Sequence, residues 1–201
     1  SLLNLGRYPV ILGLVASLVL IYVAGFAVQG TWTFYTMEKF GWDEATVGWS
    51  LATIGLAFAI VQGVLSRIII PKLGLQRSVY VGLLFSALGF ALFAFATQGW
   101  MMFAFMGIYA LGGIAGPSVQ SIISGQVPAN EQGEVQGALT SLTSTTSIFG
   151  PVIMASLFSY FTATTAPVYF PGAPYLLGSV LTVVSAFLAW RGFRNARIKT
   201  A

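Results

Sequence analysis

Polar and aromatic side chains recur every three or four residues in three otherwise apolar segments, and this spacing places each set on one face of an α-helix. The first set comprises Tyr22, Phe26, Gln29, Thr33 and Thr36; the second, Tyr109, Gly113, Gly116, Gln120 and Ser124; the third, Gln136, Thr140, Thr143, Ser147 and Gly150. An amide both donates and accepts hydrogen bonds, while an aromatic ring covers an apolar surface. These faces therefore favour non-covalent binding of an amphipathic molecule.

The residue types that covalent or acid–base catalysis needs are missing from these segments. The sequence contains no histidine and no cysteine, and no Asp, Glu, Lys or Arg lies in the middle of an apolar segment. That removes histidine-based proton transfer, a pair of carboxylates, a thiolate metal site and an oxygen-ligand metal cage. We therefore predict that the protein is not an enzyme and that it needs no cofactor.

The elements that carry these faces must lie in a membrane. Of the 201 residues 57% are hydrophobic and 7% are charged, whereas about 25% of a soluble domain is charged. Six apolar segments are long enough to cross about 30 Å of hydrocarbon. They run approximately over residues 10–36, 44–66, 78–97, 100–126, 134–161 and 175–191. We predict an all-α membrane protein with six transmembrane helices in one bundle within the lipid bilayer.

The basic residues predict how the bundle is oriented. Eight of the nine precede the first segment, separate the second from the third, or follow the sixth: Arg7, Arg67, Lys72, Arg77, Arg191, Arg194, Arg197 and Lys199. Only Lys39 falls on the opposite side. The positive-inside rule then places both termini in the cytoplasm. Because this topology accounts for the net charge of +4, we expect no nucleic acid partner.

The polar faces also suggest where a binding site lies. A polar side chain in hydrocarbon is tolerated where it meets protein or water, so we predict that the first and fourth helices line a wet cavity. The third and sixth carry only small residues on their common faces, which indicates outer, packing helices; these residues are Gly82, Ser86 and Gly89 in the third and Gly178, Thr182 and Ser185 in the sixth. The predicted substrate contacts are Tyr22, Phe26, Gln29, Thr33, Tyr109, Gly113 and Gln120. The alternative is that these side chains join helices, each bond contributing about 0.6 kcal/mol.

Glycine and proline predict bends in two helices. Gly112 and Gly116 lie on nearly one face and permit close approach of another backbone, and Pro117 removes a backbone hydrogen bond and clashes with the preceding turn. The fourth helix should therefore kink in mid-membrane. Gly150 and Pro151 repeat the arrangement in the fifth helix. Such bends suit a protein that changes conformation, although close packing alone accounts for each motif separately.

At this point the sequence resembles a known family. Six helices with both termini inside, a basic loop after the second and polar faces on the first and fourth resemble helices seven to twelve of a major facilitator superfamily transporter. The stretches FGWDEATVGWSLATIG (40–55), ALGFALFAFATQGWM (87–101) and the element at 112–151 are similar to the tetracycline-resistance branch of drug:proton antiporters.

This resemblance implies that residues 1–201 form a C-terminal domain whose partner is an absent N-terminal six-helix half. It implies export of a small amphipathic drug across a bacterial inner membrane, with the proton gradient as energy source. A self-contained six-helix channel or structural membrane protein is the alternative. Phe58 and Ser86 stand where well-known tetracycline exporters have a histidine and an aspartate. The difference assigns proton-carrying acids to the other half and leaves the substrate open.

The resemblance also suggests residues that change partners during transport. Gly63, Gly74 and Arg77 fit a degenerate copy of the superfamily's basic loop motif, in which Arg67 occupies a shifted position. Arg67 is expected to pair with an acid or helix end of the other half, and charge pairs that involve Glu131 and Glu134 are expected to form and break. The alternative for the arginines is that they set membrane topology only.

Overall fold

The computed structural model describes residues 9–199, and side chains within 11–194. Arg7 lies outside the described residues, as do the side chains of Arg197 and Lys199. The described part contains six helices that are long and apolar enough to cross a membrane, and it contains no strand. They are α1 (Pro9–Phe40), α2 (Glu44–Leu73), α3 (Leu75–Phe95), α4 (Gly99–Gly125), α5 (Gln132–Thr162) and α6 (Ala173–Lys199). The predicted fold class is confirmed.

The connection between α2 and α3 is shorter than the apolar segments suggested. α2 continues to Leu73, so Arg67 and Lys72 lie on its last turns and not in a loop. Gly74 is the whole connection, and its φ of 80° is a backbone conformation that favours glycine. α2 is also irregular, because residues Val61–Leu65 form a π-helical segment.

The other end of α2 shows an ordinary helix start. Asp43 is the N-cap residue, and its carboxylate accepts a hydrogen bond from the Thr46 amide at 2.8 Å. Hydrogen bonds from the Thr46 side chain and then from its backbone lower the pKa of Asp43 from its usual value. α1 continues to Phe40, so only residues 41–43 separate the two helices. Gly41 in this connection has a φ of 65°.

Close helix packing is concentrated where glycines leave room. A Cβ atom on Gly89 of α3 would lie 2.7 Å from the Tyr109 Cα of α4, and one on Gly82 would lie 2.7 Å from the Ala115 amide nitrogen. α6 packs against α1 and α3, and the Ser17 and Ser185 hydroxyl groups are 2.6 Å apart. Gly82 and Gly89 of α3 and Ser185 of α6 therefore pack as predicted, whereas Ser86 and Thr182 line a cavity.

The helices differ in how far the others cover them. In the most apolar 18-residue stretch, 44% of α3 and 39% of α6 is buried, against 11% of α2 and 17% of α5. α3 and α6 form the scaffold behind α1 and α4, whereas α2 and α5 present faces that the described helices leave uncovered.

Candidate functional site

A cavity of about 710 Å³ opens between the helices, and most of the predicted contact residues line it. From α1 and α4 these are Tyr22, Gln29, Thr33, Tyr109, Gly113 and Gln120. Residues of both predicted faces therefore lie on the wall of one cavity. Their role in binding a substrate stays a prediction.

Phe26 is the exception among the predicted contacts. Its ring lies against Gly150 of α5, where a Cβ atom would come within 2.8 Å of the Phe26 Cγ atom, and Phe26 does not line the cavity. The expectation that Phe26 faces the ligand is thus corrected. The missing side chain of Gly150 makes room for the ring, so Phe26 fills the interface between α1 and α5.

The glutamines of α1 and α4 differ in their partners. The Gln120 amide donates a hydrogen bond to the Tyr22 hydroxyl at 2.6 Å, which joins α4 to α1 at the cavity wall. Gln29 is exposed, and within residues 11–194 no side-chain hydrogen bond reaches it. Gln120 therefore combines the two predicted alternatives, cavity lining and interhelical bonding, whereas Gln29 has only its place on the wall.

The polar pattern of the sequence did not reveal the share of the wall that α2 and α3 contribute. α2 supplies Ile54, Phe58 and Gln62, and α3 supplies Ser86 and Phe90. Ile54, Phe58 and Gln62 are spaced by four residues and so share a helix face, which is the signal that was available. Because Ile54 and Phe58 are apolar and Gln62 is polar, this face did not stand out as a polar face in the sequence. The two positions at which the sequence departs from tetracycline exporters, Phe58 and Ser86, both face the cavity.

Aromatic contacts hold the cavity wall in place. The Trp32 indole N–H donates to the Ser50 hydroxyl at 2.9 Å, which ties α1 to α2. The Tyr109 ring lies 5.4 Å from Phe58 and 4.9 Å from Phe90, measured between ring centroids. Edge-to-face and tilted pairs at these distances are favourable. Contacts with α1, α2 and α3 therefore fix the position of the cavity wall.

The cavity wall is mostly apolar, and it carries polar groups but no charged ones. None of its lining residues is Asp, Glu, Lys or Arg, and its polar groups include the amides of Gln29, Gln62 and Gln120. In the part of the chain that the structure describes, no three His, Cys, Asp or Glu side chains come together as a group that could hold a metal ion. The wall offers hydrogen bonds and aromatic surface to a ligand of low charge density.

α4 changes its helical form close to the predicted kink, and the kink itself stays a prediction. Its helix tightens into a 3-10 turn at Gly112–Ile114 before it resumes at Ala115. Pro117 explains the position, because a proline cannot donate to the carbonyl four residues earlier, which is that of Gly113. Gly112 also permits close approach as predicted, since its Cβ atom would lie 2.8 Å from the Ser86 amide nitrogen. Gly116 shows no such close approach, because no neighbouring atom would lie within 4 Å of a Cβ atom at this position.

α5 does not repeat this irregularity. It stays α-helical from Gln132 to Thr162, through Gly150 and Pro151, and the bend predicted at these residues stays a prediction. Gly30 of α1 faces Pro151 instead, with 3.5 Å between its Cβ position and the Pro151 Cα atom. Close packing between α1 and α5 is the role that the structure gives to this pair.

The polar face of α5 lies away from the cavity. The hydroxyl groups of Thr140, Thr143 and Ser147 donate to carbonyls of their own helix at 2.8, 2.8 and 2.7 Å, a pattern common for Ser and Thr in helices. Gln136 donates to the Ser124 hydroxyl of α4 at 2.9 Å. The hydroxyl groups of the third predicted face thus donate within their own helix, and its glutamine donates to α4.

The charged residues that were expected to change partners lie at helix ends. Arg67 is exposed on the last α-helical part of α2, and Arg77 borders a cleft of about 460 Å³ between the α2–α3 connection and the end of α4. Glu131 occupies the N-cap position of α5, and Glu134 lies in its first turn. A negative charge at these positions is stabilising, because it lies near the positive end of the helix dipole.

The loop before α6 is fastened at the opposite end of α1. The Tyr169 hydroxyl donates to Glu38 at 2.9 Å. Burial, together with that hydrogen bond and the charge of Glu38, raises the pKa of Tyr169. The Phe170 ring lies 5.8 Å from Phe95, measured between centroids. The long connection is therefore attached to both α1 and α3.

Comparison with known proteins now adds to this geometry. The sequence profile of the Major Facilitator Superfamily matches residues 13–199. The chain is similar to the class G tetracycline resistance protein of Vibrio anguillarum, with 35% identity over 179 residues, 89% of this chain and 44% of that protein. The class E protein of Escherichia coli is 36% identical over 186 residues, 92% of this chain and 44% of that protein.

A more distant relative broadens the comparison. Hippocampus abundant transcript-like protein 1 of Homo sapiens is 23% identical over 203 aligned positions, 94% of this chain and 40% of that protein. The chain spans less than half the length of each of these relatives.

Proposed function

Because this chain belongs to the major facilitator superfamily, we propose that it forms the C-terminal half of a secondary transporter that exports small amphipathic compounds by alternating access. It is an integral membrane protein with tetracycline resistance proteins among its relatives. The share of those relatives that it spans, 44%, supports a partner half of similar size. An N-terminal six-helix half would cover the open faces of α2 and α5.

The observation that carries this proposal is the uncharged cavity. Its volume of about 710 Å³ lies within the roughly 300 to 1,000 Å³ of small-molecule sites. Trp32, Phe90 and Tyr109 supply aromatic surface, and Gln29 and Gln120 supply hydrogen-bonding groups. A substrate with a flat apolar part and several hydrogen-bonding groups suits such a wall. The tetracycline relatives make compounds of that kind the first to test.

The energy source in this proposal is the proton gradient, and no cofactor takes part. Phe58 and Ser86 do not titrate near neutral pH, so the acids that bind protons belong to the N-terminal half. The setting is the cytoplasmic membrane of a bacterium. Both termini of this chain face the cytoplasm, as the excess of basic residues on one side supports.

The test is uphill transport by the full-length protein. Everted vesicles that contain it should accumulate a fluorescent amphipathic drug when they are energised, and a protonophore should abolish the accumulation. Downhill flux that saturates poorly and ignores the protonophore would instead establish the self-contained channel and overturn the proposal.

Substitution of Gln29 then tests the cavity. Gln29→Ala should reduce uphill transport while protein abundance stays the same, because Gln29 makes no bond that stabilises the described fold. Gln98→Ala is the matched control, since its amide accepts a hydrogen bond from Trp100 outside the cavity. Equal transport by the two variants would remove Gln29 from the binding site.

A further inference from the structure

Phe58 of α2 lies directly over a glycine of α4. A Cβ atom on Gly113 would be 2.8 Å from the Phe58 Cε1 atom and 2.9 Å from its Cδ1 atom. Both residues line the cavity. Because real Cβ contacts are essentially never this short, any side chain at position 113 must displace the Phe58 ring. The absence of a side chain at Gly113 is what allows the ring to lie there.

The other neighbours of Phe58 limit where the ring can move. Its edge-to-face partner Tyr109 is 5.4 Å away between centroids, with an interplanar angle of 73°. Tyr109 cannot retreat, since its backbone lies against Gly89 and its ring lies 4.9 Å from Phe90. Phe58 is half-buried, and it lines the cavity. A displaced ring therefore moves into the cavity.

We propose that the contact between Phe58 and Gly113 sets the upper size of the ligand that the cavity accepts. This inference rests on the proposed transport function and adds a specificity-determining pair to it. A bulkier residue at position 113 pushes the ring inward and narrows the cavity. A smaller side chain at position 58 fills less space than the phenyl ring, so the cavity becomes longer. The identity of these two residues thus selects among amphipathic ligands by size.

The experiment uses a graded set of ligands with the purified full-length protein. The probes are aromatic amphiphiles with one common head group and n-alkyl tails of increasing length. Equilibrium dissociation constants are measured for each probe, and uphill transport is measured separately in proteoliposomes. The quantity that decides is the ratio of affinities for the longest and shortest probes, because a general loss of folding or abundance does not alter a ratio.

Substitutions on each side of the contact should shift this ratio in opposite directions. Gly113→Ala should lower it about tenfold, and Phe58→Leu should raise it by a similar factor, since one methylene group in an apolar pocket changes discrimination by roughly 10- to 200-fold. The double variant Gly113→Ala/Phe58→Leu should return the ratio towards that of the unmodified protein, because the shorter side chain leaves room for the new methyl group.

Gly107→Ala is the matched control for the change from glycine to alanine. Gly107 lies on α4, has no neighbouring atom within 4 Å and does not line the cavity. It reproduces the gain in helix propensity without the contact, so its ratio should not change. Equal shifts in Gly107→Ala and Gly113→Ala would overturn the proposal.

Phe58→Leu alone also decides the question if Gly113→Ala fails to accumulate. An unchanged ratio in that variant would show that the ring does not limit ligand size. Failure of the proposed function has a different signature: the unmodified protein would bind the probes without uphill transport, and the ratios would still report on Phe58.

Discussion

The hydrogen bond from Gln120 to Tyr22 offers a quantitative test of how α1 and α4 are held around the cavity. The donor and acceptor are 2.6 Å apart, and both side chains are only partly buried. We expect Tyr22→Phe, Gln120→Ala and the double variant to form a cycle with a coupling energy of about 0.6 kcal/mol, the average for side-chain hydrogen bonds between membrane helices, and at most about 1.7 kcal/mol.

An effect of this size is large enough to measure. A coupling energy of about 0.6 kcal/mol changes the ratio of folded to unfolded protein roughly threefold, which titration with a denaturing detergent can resolve. Tyr22→Phe removes only the hydroxyl, whereas Gln120→Ala also removes the contacts of the side-chain stem. The cycle separates the bond from those contacts.

Gln29 provides the control for this measurement. It lines the same cavity on the same helix as Tyr22, but its side chain makes no hydrogen bond within residues 11–194, so Tyr22→Phe and Gln29→Ala should be additive to within about 0.5 kcal/mol. Export should fall in both glutamine variants, and stability only in Gln120→Ala. A zero coupling energy for Tyr22 and Gln120 would refute the view that their bond joins the helices.

Two further predictions concern other parts of the fold. Gly89→Ala should destabilise the protein by about 1 to 3 kcal/mol, as overpacking does, because the added Cβ would lie 2.7 Å from the Tyr109 Cα; thermal unfolding measures this, with Gly107→Ala as a control that should not destabilise. Asp43→Ala should lower the melting temperature at neutral pH. Its lowered pKa means that the carboxylate stabilises the fold above its unfolded-state pKa, and that this advantage disappears as pH falls through the folded-state pKa. A stability difference that persists in strong acid would contradict the second prediction.

The helices were predictable because membrane physics leaves few alternatives. Each apolar segment must be helical in hydrocarbon to satisfy its own backbone, and each is long enough to cross it. The faces of α1 and α4 were predictable for a related reason. A glutamine such as Gln29 or Gln120 is costly against lipid, so the face that carries it turns towards water or protein.

The remaining parts of the site depend on packing between helices that are distant in sequence. Phe26 has the same helical spacing as Gln29 and Thr33, yet it turns to α5 because Gly150 leaves room there. The spacing of residues along one helix does not show where a glycine of another helix leaves space. The wall that α2 contributes was missed because Ile54 and Phe58 are apolar and resemble lipid-facing residues. The π-helical segment at Val61–Leu65 has no clear signature in the sequence.

Polar faces that look alike in the sequence differ in whether their side chains need a partner outside their own helix, and this difference favours α1 and α4 as the proposed binding site. On α5 the hydroxyls of Thr140 and Thr143 donate to their own helix, so that face is stable beside almost any neighbour. An amide has two N–H donors and a carbonyl acceptor. Gln120 uses one donor on Tyr22, and Gln29 uses none within the described residues. We propose that water or a ligand in the cavity they line satisfies the remaining groups.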